Sequence, residues 1–158
     1  MASPQKHLAT GIIGSAAIYA FTRNIPLTAG FFMGSWAIDL DHVWIFWRET
    51  NFSRIFDVKG MINYHSKLRF EQLIKKPFLH LLHFHTIEFL LGVLLLAIYL
   101  PSISAPLQGL FIGMLLHIII DDIGLLKVMS FHKRCHSIIE YNIRKYIFRE
   151  KTYHDLYP

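Results

Sequence analysis

Residues 89–120 read FLLGVLLLAIYLPSISAPLQGLFIGMLLHIII, a stretch without Asp, Glu, Lys or Arg. It is too long for one membrane-spanning helix, which needs roughly 20 mostly apolar residues. Residues 101–106, near its middle, place small polar residues between two prolines, a pattern typical of a tight turn. The stretch therefore predicts two apolar helices joined by a short turn.

The remainder of the chain adds two further uncharged runs, at residues 8–22 and 25–38. Hydrophobic residues make up 53% of the 158 residues and charged residues 17%, below the usual charged share of about 25%. This composition excludes a disordered chain and disfavours an ordinary soluble surface. We predict a single all-α domain spanning residues 1–158. The predicted transmembrane helices lie at about 7–22, 27–47, 79–100 and 106–128.

The distribution of basic residues predicts the orientation of these helices. Four spans place both termini and residues 48–78 on one side, and every Lys and Arg except Arg23 lies there, out of 16 in all. Cytoplasmic loops carry the excess of Lys and Arg. We therefore predict a multi-pass protein of the cytoplasmic (inner) membrane with both termini in the cytoplasm. Because the first helix is short, a soluble all-α bundle is the alternative.

Two segments on the predicted cytoplasmic side, residues 66–76 and 137–149, mix apolar with basic side chains. Such helices can lie in the headgroup layer and attract anionic lipid; the alternative is packing in a soluble core. The net charge of +5 is spread along these segments without a nucleic-acid-binding motif. We predict membrane and lipid as partners and no nucleic acid. The sequence does not determine the oligomeric state.

Polar residues interrupt the predicted helices near the cytoplasmic side. Ionisable groups at such depth are costly and usually face the interior of a bundle, paired with each other or with a cofactor. Four antiparallel helices would bring these residues to one depth. They are His7, Asp39, Asp41, His42, His80, His83, His85, Glu88, His117, Asp121 and Asp122.

Histidine and carboxylate without thiolate suit Zn²⁺, Mn²⁺ or Fe²⁺, and the lone Cys135 excludes a cysteine-based zinc site. We predict one or two divalent ions, zinc first and manganese or iron as alternatives. Asp41 or Glu88 would act as general base or orient a ligand. The predicted ligands are His7, Asp39, His42, His80, His85, His117 and Asp121.

Spacing sharpens the prediction within single helices. His117 and Asp121 are four residues apart and share a helical face. Asp39 and His42 also share a face, whereas Asp39 and Asp41 diverge on a regular helix. Either the helix is distorted there or one Asp orients a ligating histidine. Glycines at spacings of three or four predict close helix packing: Gly11, Gly14, Gly30, Gly34, Gly109 and Gly113.

Four ordered motifs together resemble the membrane-bound metal-dependent hydrolase (YdjM-like) family. They read His7-Leu-Ala-Thr-Gly11, Ile38-Asp39-Leu40-Asp41-His42, His80-Leu-Leu-His83-Phe-His85-Thr86 and His117-Ile-Ile-Ile-Asp121. That family is distantly similar to zinc-dependent phospholipase C and to helical nucleases with His-x-x-x-Asp ligands. The resemblance implies hydrolysis of a lipid-borne ester, foremost a phosphoester, at the cytoplasmic face of the membrane.

The sequence departs from the family pattern at several positions. Ile38 replaces a proline, Leu81 and Leu82 replace Arg-Gly, and Thr86 replaces a serine. The missing arginine is a group that would contact an anionic substrate, so these departures bear on the substrate and on whether activity is retained.

Two other functional classes fit parts of the pattern. The triplet His80-x-x-His83-x-His85 is similar to a histidine box of a membrane di-iron oxidase or desaturase. A non-enzymatic membrane protein with a structural metal, or an ion carrier, would also place ionisable residues inside a bundle.

Overall fold

A computed structural model describes residues 4–74, 79–127 and 134–152. The described chain is mostly helical, which confirms the predicted all-α class. Its helices are α1 (Pro4–Thr22), α2 (Ile25–Ala37), α3 (Leu40–Glu49), α4 (Val58–Ile74), α5 (Ile87–Tyr99), α6 (Ser104–Lys127) and α7 (Ile138–Asn142). Two short strands are β1 (His80–Leu81) and β2 (Arg134–Cys135).

The chain divides into two compact units. The first comprises Met1–Asp39 and Phe84–Phe131, and therefore holds α1, α2, α5 and α6. The second comprises Leu40–His83 and His132–Pro158. The long apolar stretch and its neighbours in the sequence thus form one helical unit around a core of Ile38, Leu90, Val93 and Met114.

Glycines bring α2 and α6 into close contact. A Cβ atom added at Gly34 would collide with the carbonyl oxygen of Leu110, and one added at Gly113 would collide with that of Phe31. Gly30 and Gly109 meet the backbone of the facing helix in the same way. Small residues at such spacing allow two helix backbones to approach. The predicted packing role of these glycines is confirmed.

The predicted helix over 27–47 is wrong as a continuous element. α2 ends at Ala37 and α3 begins at Leu40, with a turn at residues 38–39. The break shows that the helix is distorted between Ala37 and Leu40, and the orienting role of one Asp stays a prediction. Asp39 therefore lies in a turn, where the direction of its side chain is not set by a regular helix.

The predicted helix over 79–100 begins later than expected. Residues 80–81 form β1 and His83–His85 form a short 3-10 turn, so α5 starts only at Ile87. The side chain of Thr86 accepts a hydrogen bond from the backbone N–H of Phe89 at 3.4 Å and so caps the helix. The placement of His80 on this helix is therefore wrong.

The turn between the two apolar helices is confirmed. Pro101–Ile103 form a 3-10 turn, and α6 begins directly afterwards at Ser104. Within the described residues, the helical stretch Pro101–Lys127 is the one long and apolar enough to cross a membrane. Ile87–Tyr99 is apolar but has 13 residues, a length of about 20 Å against a hydrocarbon core of about 30 Å. The four-span arrangement stays a prediction.

The second unit contains the two predicted amphipathic segments. Residues 66–74 lie in α4, and residues 75–76 fall outside the described part of the chain. α7 continues as a π-helical turn over Ile143–Ile147, so the segment predicted at 137–149 is helical over residues 138–147. β1 pairs with β2 in parallel, with His80 opposite Arg134 and Leu81 opposite Cys135.

Candidate metal centre

Five of the predicted site residues meet inside the first unit. His7 lies in the second turn of α1, and Asp39 follows the end of α2. His85 ends the 3-10 turn before α5, while His117 and Asp121 lie one turn apart on α6. The helix break after Ala37 and the cap at Thr86 keep Asp39 and His85 off regular helix. We call these five residues, His7, Asp39, His85, His117 and Asp121, the His/Asp cluster.

Four members of the cluster are almost completely buried. The exposed fractions are 1% for His7, 1% for His85, 0% for His117 and 1% for Asp121. The side chain of Asp39 is 27% exposed and is thus the solvent-facing member. Histidines and carboxylates are rarely buried unless they are paired or bind a metal. Four such residues buried together could hold a metal ion.

The hydrogen bond at Nδ1 of His117 fixes the tautomer of that ring. Nδ1 lies 2.8 Å from the carbonyl oxygen of Ser35, and a carbonyl can only accept, so Nδ1 carries the proton. In the neutral ring Nε2 then presents its lone pair. A histidine oriented by a carbonyl at one nitrogen is the usual state of a metal ligand at the other.

Ligand atoms surround Nε2 of His117. Nε2 of His85 lies 3.3 Å away and Oδ1 of Asp39 also 3.3 Å away. Oδ1 of Asp39 is 3.7 Å from Nε2 of His85. Oδ2 of Asp121 lies 3.9 Å from Nε2 of each of these two histidines. Two nitrogens and two carboxylates thus converge on one small volume.

These separations fit a coordinated cation. Ligands at tetrahedral angles on a zinc ion, with bonds of about 2.0–2.1 Å, lie about 3.3 Å apart. The pairs of His117 with His85 and with Asp39 have that spacing. A proton or cation must also separate two imidazole nitrogens that both present lone pairs. The donor set and its spacing therefore can hold a metal ion.

His7 packs on the other side of His117. The two rings stack with centroids 3.6 Å apart and an interplanar angle of 11°. Nε2 of His7 lies 3.1 Å from Oδ1 of Asp121, and its buried Nδ1 has no hydrogen-bond partner among the described residues. Such a buried polar atom is costly unless something binds it. His7 is thus available as a further ligand.

Two overlapping triads in the first unit have ligand atoms within 4.8 Å of one another: His7, Asp39 and His117, and His85, His117 and Asp121. Both triads contain His117. An arrangement with a shared central histidine accommodates one ion or two closely spaced ions, with nitrogen and oxygen donors in each set.

Of the other predicted residues, Asp41, His42 and His80 belong to the second unit, whereas Glu88 belongs to the first. Asp41 is buried in α3 of the second unit. His42, in the same helix, has its backbone carbonyl 2.8 Å from Nε2 of His65, and the two rings pack edge to face. His80 lies in β1, and its side chain is outside the described part. Glu88 lies in the first turn of α5, three residues after His85.

The contact with the carbonyl of Ser35 is one that the sequence did not predict. The carbonyl is a backbone group, so no residue type signals it. The glycine at position 34, which lets α6 approach α2, is the sequence feature closest to it.

No family model, no curated protein and no solved structure matches this chain. The functional class therefore has to be argued from the residues of the site and from the surface around them.

Proposed function

We propose that this chain is a membrane-embedded, metal-dependent hydrolase that acts on a lipid-borne ester, foremost a phosphoester, at the cytoplasmic face. The observation that carries the proposal is the convergence of three histidines and two carboxylates at ligand spacing in the first unit. The order of the motifs, which resembles the membrane-bound metal-dependent hydrolase (YdjM-like) family, supports the same class.

His85, His117, Asp39 and Asp121 would hold the metal, with His7 as a fifth ligand or as a ligand of a second ion. The donors suit zinc first, and manganese or iron as alternatives. A divalent ion held there would lower the pKa of an attacking water and would stabilise the negative charge that develops on a phosphoryl group. Four buried ligands and one partly exposed ligand leave the Asp39 side as the open side.

The protein's own groups supply orientation and proton transfer. Asp39 faces solvent, so a substrate headgroup and water approach past it. Glu88 is partly buried in the turn after His85 and is the candidate in this unit for accepting the proton of the water. Asp41 lies in the second unit, and its role as general base or orienting group stays a prediction.

The surface of the first unit supports a membrane location. Large apolar side chains project outward from its helices, including Ile13 at 69%, Phe21 at 91% and Ile98 at 62% exposure. The ionisable His/Asp cluster is buried instead. Large exposed apolar areas are rare on soluble proteins, whereas buried ionisable groups within an apolar exterior are expected of functional sites in membranes.

The test is metal-dependent release of phosphate or headgroup by the full chain in detergent, with phospholipids and polyprenyl phosphates as substrates. Zinc, manganese and magnesium are added separately after chelation. The proposal expects turnover of at least one substrate that stops with chelator and returns with one metal. If the protein binds metal in stoichiometric amount but cleaves none of the substrates, the structural-metal alternative replaces the hydrolase. If the purified protein contains iron and shows an optical band, the oxidase alternative replaces the hydrolase.

A further inference from the structure

The second unit carries an exposed apolar face on α7 and the π-helical turn that follows it. Ile139 lies on α7, and Ile143, Tyr146 and Ile147 lie on the π-helical turn; all four are exposed large apolar side chains. Ile139 is 64% exposed, and Tyr146 and Ile147 are each 69% exposed. We call these four residues the α7 face.

Polar side chains of the segment form hydrogen bonds within the protein. Arg144 donates to Oε1 of Glu140 at 3.1 Å and to Oε2 of Glu150 at 2.8 Å, and it lies 3.9 Å from Sγ of Cys135. These hydrogen bonds hold the pKa of Glu150 below its usual value. Ser137 caps the start of the helix by accepting from the backbone N–H groups of Ile139 and Glu140. These hydrogen bonds hold the segment in place, and the residues of the α7 face remain exposed.

Cations flank the α7 face. The Nζ atom of Lys145 lies over the rings of Tyr141 and Tyr146, at 5.7 Å and 5.3 Å from their centroids. No described carboxylate forms an ion pair with Lys145, and Arg149 is exposed at the end of the segment. Tyrosine with a nearby lysine, beside aliphatic side chains, is the composition that favours the headgroup layer of a bilayer.

We propose that the α7 face binds the headgroup layer of an anionic bilayer. Ile139, Ile143 and Ile147 would enter the boundary with the acyl chains, Tyr146 would lie at headgroup level, and Lys145 and Arg149 would meet lipid phosphates. A protein partner or a second copy is less favoured, because the two cations at its edge complement an anionic surface. This surface belongs to the second unit and does not depend on the hydrolase activity.

The experiment places an environment-sensitive NBD fluorophore at Ile147→Cys in the full chain, reconstituted into phosphatidylcholine vesicles with or without phosphatidylglycerol. Cys135 is retained because it is buried, and the wild-type chain labelled in parallel gives the background. Nitroxide lipids labelled near the headgroup report contact. We expect strong quenching in the vesicles with phosphatidylglycerol and less in phosphatidylcholine alone or at high salt.

The charge dependence has a matched control. Lys145→Gln with Arg149→Gln should lower the ratio of docked to undocked segment by on the order of tenfold or more. Arg48→Gln with Lys59→Gln removes the same charge from other helices of the second unit and should leave the quenching unchanged.

Three results would overturn the proposal. The first is no quenching in either vesicle, and the second is equal loss of quenching in the two double variants. The third is cross-linking of Ile147→Cys between two chains without quenching, which would assign the α7 face to a second copy. Metal binding measured on the same samples reports separately on the first unit, so failure of this proposal is distinguishable from failure of the hydrolase.

Discussion

At the scale of single residues, His117 joins the parts of the site. Its Nδ1 is held by the backbone of α2 through Ser35, its Nε2 lies against His85 and Asp39, and its ring stacks on His7. The sequence predicted His117 as a ligand from its spacing to Asp121. It did not predict the stacking or the carbonyl, because both depend on how helices distant in sequence pack.

Asp39 is the carboxylate of the cluster that solvent and substrate can reach, so replacing it with its neutral isostere Asn tests catalysis. Asp39→Asn keeps the shape of the side chain but loses the charge that balances a cation. We expect hydrolysis of the accepted substrate to fall by on the order of 10²-fold or more, with insertion unchanged or eased. As the control, Glu49→Gln changes a carboxylate of α3 that accepts a hydrogen bond from Arg48, and it should retain turnover. Wild-type turnover in Asp39→Asn would exclude Asp39 from the reacting centre.

Cys135 provides a prediction that does not involve the metal site. Burial raises the pKa of its thiol from 9.0 to about 11, so the thiolate at neutral pH is roughly 100-fold scarcer than in an ordinary cysteine. We expect negligible maleimide labelling of the folded chain at pH 7 and full labelling after unfolding in denaturant. Rapid labelling of the native chain would show that β2 is open to solvent.

At the scale of helices, the contact between α2 and α6 sets the geometry of the cluster. Gly113→Ala would push a Cβ atom against the carbonyl oxygen of Phe31 and the backbone nitrogen of Ser35. The resulting strain is typically about 1–3 kcal/mol, and it displaces the carbonyl that orients His117.

We therefore expect Gly113→Ala to weaken metal binding and to lower thermal stability. Gly92→Ala in α5 is the matched control, because nothing lies within 4 Å of the added Cβ atom. Competition titration with a chromogenic chelator measures the affinity. Equal affinity in the two alanine variants would mean that the helix contact does not position His117.

The bounds of the helices were predictable where an apolar run is continuous. They were not predictable where a capping side chain or a contact with a distant segment sets the helix end. The bounds of α1 and α6 and the turn at residues 101–106 follow from apolar runs and prolines. The late start of α5 follows from the cap at Thr86 and the pairing of β1 with β2, a contact between segments about fifty residues apart. The break between α2 and α3 was one of two alternatives that the spacing of Asp39 and Asp41 left open.

At the scale of the whole molecule, four of the five residues of the His/Asp cluster are buried in the first unit, whereas many large apolar side chains of that unit are exposed. The distribution of basic residues is the basis of the proposed orientation of the chain in the membrane. With both termini cytoplasmic, Lys59→Cys should be labelled by a membrane-impermeant maleimide only from the cytoplasmic side, and Tyr99→Cys only from the opposite side. Labelling of Lys59→Cys from outside intact cells would reverse or exclude this topology.

The central claim is that the His/Asp cluster binds a divalent metal, and elemental analysis of the full chain purified without chelator tests it most directly. The account predicts one or two equivalents of a transition metal in the wild type and in His83→Ala, whose histidine is exposed and outside the cluster. It predicts loss of bound metal in His117→Ala, while the variant remains in the membrane fraction. Metal-free wild-type protein that acquires none on addition of zinc, manganese or iron would contradict the account, as would an unchanged metal content in His117→Ala.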